Sequence, residues 1–356
     1  MALIFFILSL SLIVLVHEFG HLLAAKLFGV YCEEFSVGMG PKLISHRFKE
    51  TTYSIRAIPL GGFVAMAGDS DNALETSVDQ TNIPFERTLK GVARWKGIII
   101  MLAGIFMNFV LAFVIMAMVF LNVGHYVGSP TPILKEVVVN SPADVAGLQA
   151  NDKIVYMAYE DLNIDYRPKN FDDIVNFMYG HETEVLTLQV LRDDEIFETK
   201  LKAEFNDELN RYLIGISATP AEPVEVNFFN CWGFGAEFLV NSTRTIFMSL
   251  GQLFKGIGLE NLSGPIGVYE VTSDALELGA QTYFMIIAVL SLNIGICNAL
   301  PLPILDGGRV LISLIEGLIG HSLSQKTINI LMSVSMALLI VLFSLGTFKD
   351  VVHLFW

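Results

Sequence analysis

Charge is in short supply in this sequence. Only 16% of its 356 residues are Asp, Glu, Lys or Arg, while 53% are hydrophobic. A soluble domain carries about 25% charged residues. The shortfall excludes an ordinary water-soluble globule and points to a membrane protein. Basic residues are the scarcer kind, 22 against 36 acidic ones, for a net charge of -14. That balance removes the electrostatic basis of nucleic-acid binding. The three cysteines, Cys32, Cys231 and Cys297, are too few and too scattered for a disulfide framework. Cys32 and Cys297 lie beside hydrophobic segments and read as buried free thiols. The N-terminus lacks the basic stretch that opens a secretory signal. Its apolar run continues into His17, Glu18 and His21 instead of a cleavage site.

What charge there is lies mostly in the middle. Residues 123–280 hold 24 acidic and 10 basic residues, a balance that accounts for the whole net charge. A solvated acidic domain is therefore expected between two apolar ends. Ala2 to Val16 contains no charge, and the run over residues 1–28 is long enough for a helix across a ~30 Å hydrocarbon core. Residues 29–96 contain EEFSVGMGPKLI and YSIRAIPLGGFVAMAG, which alternate with period two and are punctuated by glycine. They read as short strands or hairpins followed by a polar loop. A second span is expected over 97–123, with Asn108 its one markedly polar interior residue. The acidic domain is placed at 127–205 and an amphipathic connector at 206–280. A third span over 281–308 ends in NALPLPILDGG, and a loop with a fourth span fills 309–356. Lys26, Arg87, Lys90, Arg94, Lys96, Arg309 and Lys326 flank the spans on one side. By the positive-inside rule that side is cytoplasmic, and the acidic domain and both termini face outward.

His17-Glu18-Phe19-Gly20-His21 is HExxH. Histidines at i and i+4 share one helix face and can share a metal, and the glutamate between them can reach a metal-bound water. Ionisable residues inside an apolar span are costly and default to functional readings. A catalytic zinc wants a third protein ligand. By orientation His125, His181 and His353 are on the far side, while His46 and His321 remain possible. Asp306 is the better candidate, because Pro301 and Pro303 break the third span and Gly307-Gly308 permit a tight turn.

HEFGH near one end and NALPLPILDGG near the other resemble the site-2 protease family of intramembrane metalloproteases, in particular its bacterial regulator-of-sigma-E branch. FSVGMG, IPLGGFVAM, the Gly104-to-Asn108 spacing and LSGPIG extend the likeness over most of the chain. The resemblance implies zinc on His17, His21 and Asp306, with Glu18 as the catalytic carboxylate. It implies that Asn293 and Asn298 lie near substrate. The segments holding Gly38, Gly40, Gly61 and Gly62 look like membrane-embedded β-hairpins that pair with an unwound substrate strand. NSPADVAGLQANDKIV resembles part of a PDZ domain, which could take C-terminal peptides or screen out bulky ectodomains. The expected molecule is thus a polytopic α-helical membrane protein of about four spans with an inserted PDZ-like α/β domain, in the bacterial inner membrane. Its expected substrates are single-span membrane proteins, such as an anti-sigma factor or a remnant signal peptide. An inactive scaffold and a zinc transporter are the rival readings. The first would predict a damaged motif and the second an internal repeat, and neither is seen.

Overall fold

The computed structural model describes residues 2–69, 83–206, 211–254 and 263–355. In chain order, α1 (Ala2–Leu27) is followed by β1 (Cys32–Phe48), β2 (Thr51–Met66) and α2 (Arg94–Val123). A run of small elements comes next: β3 (His125–Tyr126), β4 (Leu134–Val137), α3 (Pro142–Val145), β5 (Lys153–Tyr159), β6 (Ile164–Tyr166) and α4 (Phe171–Met178). It continues through β7 (Val185–Arg192), β8 (Glu195–Lys202), β9 (Glu204–Asn206), β10 (Arg211–Leu213), β11 (Ile216–Ala218) and β12 (Val224–Glu225). Five helices close the chain: α5 (Cys231–Phe254), α6 (Pro265–Leu278), α7 (Ala280–Ala299), α8 (Asp306–Ile319) and α9 (Gln325–Phe355).

Two compact units result: Met1–Asn122 with Phe228–Arg244 and Asn261–Trp356, and Val123–Asn227 with Thr245–Glu260. In the first unit, α1, α2, α7 and α9 are long and apolar enough to cross a membrane. These four agree in number with the apolar runs of the sequence. The fourth helix, 31 residues, outruns its apolar stretch at both ends. Along α9 side chains such as Ile330, Val334 and Phe343 are exposed. Such a surface is a liability in water and ordinary in lipid. Cys297, expected to be buried, is exposed on α7, while Cys32 is buried.

The segment between α1 and α2 builds one antiparallel β1–β2 sheet with repeated register shifts. Residues 34–37 of β1 pair with 62–65 on one side, as in Phe35–Val64, and with 52–55 on the other, as in Phe35–Tyr53. The folding-over needs glycine. Gly38 has φ +83°, and a Cβ on Gly62 would stand 2.5 Å from the Ser36 carbonyl oxygen, so no larger residue fits. Buried Glu34 holds the sheet internally. Its carboxylate accepts from Ser54 at 2.5 Å and pairs with Arg56 at 3.0 Å and Lys42 at 2.7 Å. At the other end of the unit, α6 begins behind a glycine that has no capping side chain. Asp350 of α9 supplies the cap, accepting from the N–H groups of Gly264, Ile266 and Gly267 at 2.9, 3.0 and 2.9 Å. A carboxylate there satisfies the open amides and faces the positive end of the helix dipole.

The second unit centres on a four-stranded antiparallel sheet of order β6-β5-β7-β8. Leu134, Ile154, Met157, Ile174, Leu188 and Val190 fill its core. Asp193 and Asp194, both at positive φ, make the tight β7–β8 turn, the backbone form that matches strand twist. α3 opens on Ser141, whose Oγ accepts from the Asp144 N–H, and α4 on Asn170, whose Oδ1 accepts from the Asp173 N–H at 2.8 Å. In the Asn151-Asp152 turn, Asn151 takes φ 72°, which asparagine tolerates better than most residues. The unit does not stop at residue 205: β11 pairs with β4, and β12 with β3. Asp152 is fully buried. It accepts from the Gln149 N–H at 2.8 Å and grips Arg192 through Nε and Nη2, both at 2.7 Å. Asp152→Ala strands both donors. It should lower stability of this unit by about 2–3 kcal/mol, read as a lower urea midpoint by far-UV dichroism of the full chain, whereas Asp161→Ala should change it little.

Candidate active site

α1 carries His17, Glu18 and His21 on the stretch that packs against α2. Both histidines are buried. The approach is close: a Cβ on Gly20 would lie 2.4 Å from the Ala103 carbonyl oxygen, and one on Gly104 only 2.4 Å from His21 Nε2. Gly104 therefore makes room for the imidazoles. Asp306 arrives from far along the chain. α7 ends at Ala299, the Pro301–Pro303 segment leaves helical geometry, and α8 starts at Asp306 itself. Gly307 and Gly308 allow the tight return, since a Cβ on either would collide with the backbone of 299–302.

Asp306 Oδ2 lies 3.0 Å from His17 Nε2 and 3.2 Å from His21 Nε2, and the two Nε2 atoms are 3.2 Å apart. A tetrahedral zinc with ligands at about 2.0–2.2 Å holds them about 3.3–3.5 Å apart, so the triangle is close to the required size. Asp306 Oδ2 is buried without a hydrogen-bond donor, the condition of an oxygen that needs a cation. His17, His21 and Asp306 are the group of described residues whose donor atoms converge this way. The residues present fit a zinc ion.

The outer faces of the rings are held as well. His21 Nδ1 lies 2.8 Å from the Ile100 carbonyl oxygen, which accepts the Nδ1 proton and leaves Nε2 as a lone-pair donor. His17 Nδ1 lies 3.4 Å from the Asn108 amide. With Nε2 turned inward, Nδ1 carries the proton and calls for an oxygen. Asn108 Oδ1 is buried with no other partner, and exchange of the amide's two ends satisfies both. Ser291 of α7 donates to the Asn108 backbone carbonyl at 2.8 Å. Glu18 Oε2 accepts from the Val64 N–H of β2 at 3.1 Å.

His17, Glu18, His21, Val64 and Asp306 line a cavity of about 260 Å³ with Phe63, Met66, Asn298, Asp69 and Arg309. Asn298 is thus in the wall, whereas Asn293 lies five residues earlier on α7, half-buried and outside the lining. Gly38, Gly40, Gly61 and Gly62 sit in the adjoining sheet and not in the cavity wall. Gly61 packs toward Val14, which is in that wall. His46 and His321 are exposed and outside the lining. Sequence reasoning assigned no role to Val64, Gly104, Asn108, or the Asp69–Arg309 ion pair at 2.5 Å. Gly104 and Asn108 had a legible signal in their spacing, which the family likeness includes, and Asn108 a second one as the polar residue inside an apolar span.

The fold and site together define a membrane metallopeptidase. The model of peptidase family M50 matches residues 5–342, and the chain belongs to that family, the zinc-dependent peptidases of the site-2 protease type. It is 28% identical to the regulator of sigma-W protease RasP of Bacillus subtilis, with 98% of each chain covered. It is also 28% identical to the zinc metalloprotease RasP of Bacillus licheniformis, again over 98% of each. A Clostridium acetobutylicum relative is 33% identical over 98% of this chain and 96% of its own.

Gly104→Ala drives a methyl group into His21 and should lower bound zinc at least about tenfold, measured by atomic absorption on purified protein. Gly97→Ala, in the same helix with nothing within 4 Å of its Cβ, should keep its zinc.

Proposed function

We propose that this chain hydrolyses peptide bonds inside the transmembrane segments of single-span membrane proteins, with zinc on His17, His21 and Asp306 and Glu18 as general base. The observation that carries the reading is the meeting of those four side chains in one cavity, on and against helices long and apolar enough to cross a membrane. The histidines face α2 between Ile100 and Gly104, about 9–15 Å along the helix from its start at Arg94. That lies within a ~30 Å hydrocarbon core.

His17, His21 and Asp306 would hold a zinc ion there, which would supply Lewis acidity to the attacking water and the scissile carbonyl. Glu18, in the same cavity wall, is the carboxylate that would take a proton from the attacking water and hand it to the departing amine. The Val64 N–H pins one carboxylate oxygen, so the proton moves at the other. Ile100 and Asn108 keep the imidazoles in the ligating tautomer. No residue of the site forms a covalent bond to substrate in this scheme.

A helical substrate shields its own peptide bonds and must unwind, and its freed N–H and C=O groups then need partners in lipid. The outer edge of β2 supports such pairing: the Val64 N–H points away from β1 toward Glu18, and Phe63, Val64 and Met66 line the cavity. Strand addition along 62–66 would lay the scissile bond beside Glu18. Asn298 stands on the opposite wall as a polar contact for the same segment. Gly38, Gly40, Gly61 and Gly62 keep the sheet thin enough to approach, and Asn293 of α7 is a further polar group for the substrate. The basic residues near the starts of α2 and α9 support a cytoplasmic level for this end of the bundle, with the acidic second unit outside. That unit would take C-terminal peptides in the manner of a PDZ domain or exclude substrates that retain large ectodomains.

The test is cleavage of a single-span substrate with a truncated ectodomain in liposomes. Glu18→Gln should retain one zinc per chain yet cleave roughly 10²–10⁴-fold more slowly, and chelation of the wild type should abolish cleavage. Cleavage by Glu18→Gln at the normal rate would remove the assignment.

A further inference from the structure

A second cavity, of about 510 Å³, opens where α2 and α9 both begin, bounded also by α8. Its wall is divided by polarity. Lys90, in the turn before α2, and Arg94, the first residue of α2, stand in the wall with Arg309 of α8, while Leu89, Ile312, Ile328 and Met332 supply an apolar floor. Lys90 and Arg94 are exposed, and among the described residues neither has an acid within ion-pair distance. The acid in the described wall is Glu316, and it is already engaged: its Oε1 accepts from the Leu323 N–H at 2.8 Å. Phe85 of the wall exposes its ring, as do Trp95, next to Arg94, and Leu318 and Ile319 at the end of α8 their apolar side chains, as expected at the boundary between headgroups and hydrocarbon.

We propose that this cavity binds an anionic phospholipid, with its phosphate on Lys90 and Arg94 and its upper acyl chain on Ile328 and Met332. Two unpaired cations beside an apolar floor, at the ends of two membrane helices, match a molecule with a negative head and a hydrocarbon tail. An acidic peptide would satisfy the cations and leave the floor against polar backbone. The position gives the lipid a route to the catalytic cavity. Met101 and Arg309 line both cavities, and Arg309 holds Asp69 across the wall of the first. Arg94 and Arg309 line the same cavity, so a phosphate there shares its wall with the residue that holds Asp69. The proposal rests on α2 and α9 crossing a membrane and is independent of the peptidase chemistry.

The test is binding of fluorescent phosphatidylglycerol to the full chain in detergent micelles, in competition with unlabelled lipids. Phosphatidylglycerol should displace the probe far better than phosphatidylcholine. The double variant Lys90→Gln/Arg94→Gln should bind it roughly 10- to 30-fold more weakly. The double variant Arg47→Gln/Lys49→Gln, which removes the same charge at the tip of the β1–β2 sheet, should stay within about twofold of the wild type. Retained zinc content shows that each variant is folded. Equal weakening in both variants reduces the effect to general surface charge and overturns the proposal. So does the absence of a headgroup preference. Competition by glycerol phosphate or by an acidic peptide as strong as that by the lipid replaces it with a small-anion or peptide site.

Discussion

Three lone pairs meet in an apolar surrounding, two from α1 and one from α8, and much of the membrane unit is shaped by that meeting. A buried carboxylate oxygen without a donor costs several kcal/mol in a medium that offers no water. Asp306 Oδ2 is in that position, 3.0 and 3.2 Å from the two histidine nitrogens. The surrounding contacts exist to keep those distances. Gly20 and Gly104 bring α1 and α2 close enough for imidazoles to fit between them. The Ile100 carbonyl and the Asn108 amide face the outer nitrogens of the rings, and Ser291 ties Asn108 to α7.

Irregular backbone is the second consequence. The stretch between α7 and α8 abandons helical hydrogen bonding within the membrane unit, which lipid alone would not tolerate. It survives because it lies against protein and lines the cavity, with glycines at 307 and 308 where a Cβ would strike the chain itself. The β1–β2 sheet follows the same logic. Its interior carries a charged cluster around Glu34 whose members satisfy one another, and its outer edge turns an amide toward Glu18. Strand and helix thus meet at one carboxylate.

The second unit answers to a different solvent. It has a conventional apolar core, capped short helices and a buried Asp152 clamped by Arg192. None of these features needs lipid, and its acidic surface agrees with water.

By itself the sequence determined what is local. Uninterrupted apolar runs mark the four long helices because a span must satisfy its backbone internally. HExxH places two imidazoles and a carboxylate on one helical stretch because the helix repeats every 3.6 residues. The proline pair before LDGG marks a broken helix because proline cannot donate. Asp306 could be ranked above His46 and His321 but not joined to His17 by such rules. Only the tertiary structure decided that, along with the Val64 amide on Glu18, the Asn108 amide on His17 and the Asp69–Arg309 pair across the cavity. It also decided that 32–66 folds into one sheet instead of separate short hairpins, and that the acidic unit continues past residue 205. The physical reason is common to all of them. Each depends on partners tens to hundreds of residues apart, and periodicity along a chain carries no record of such meetings.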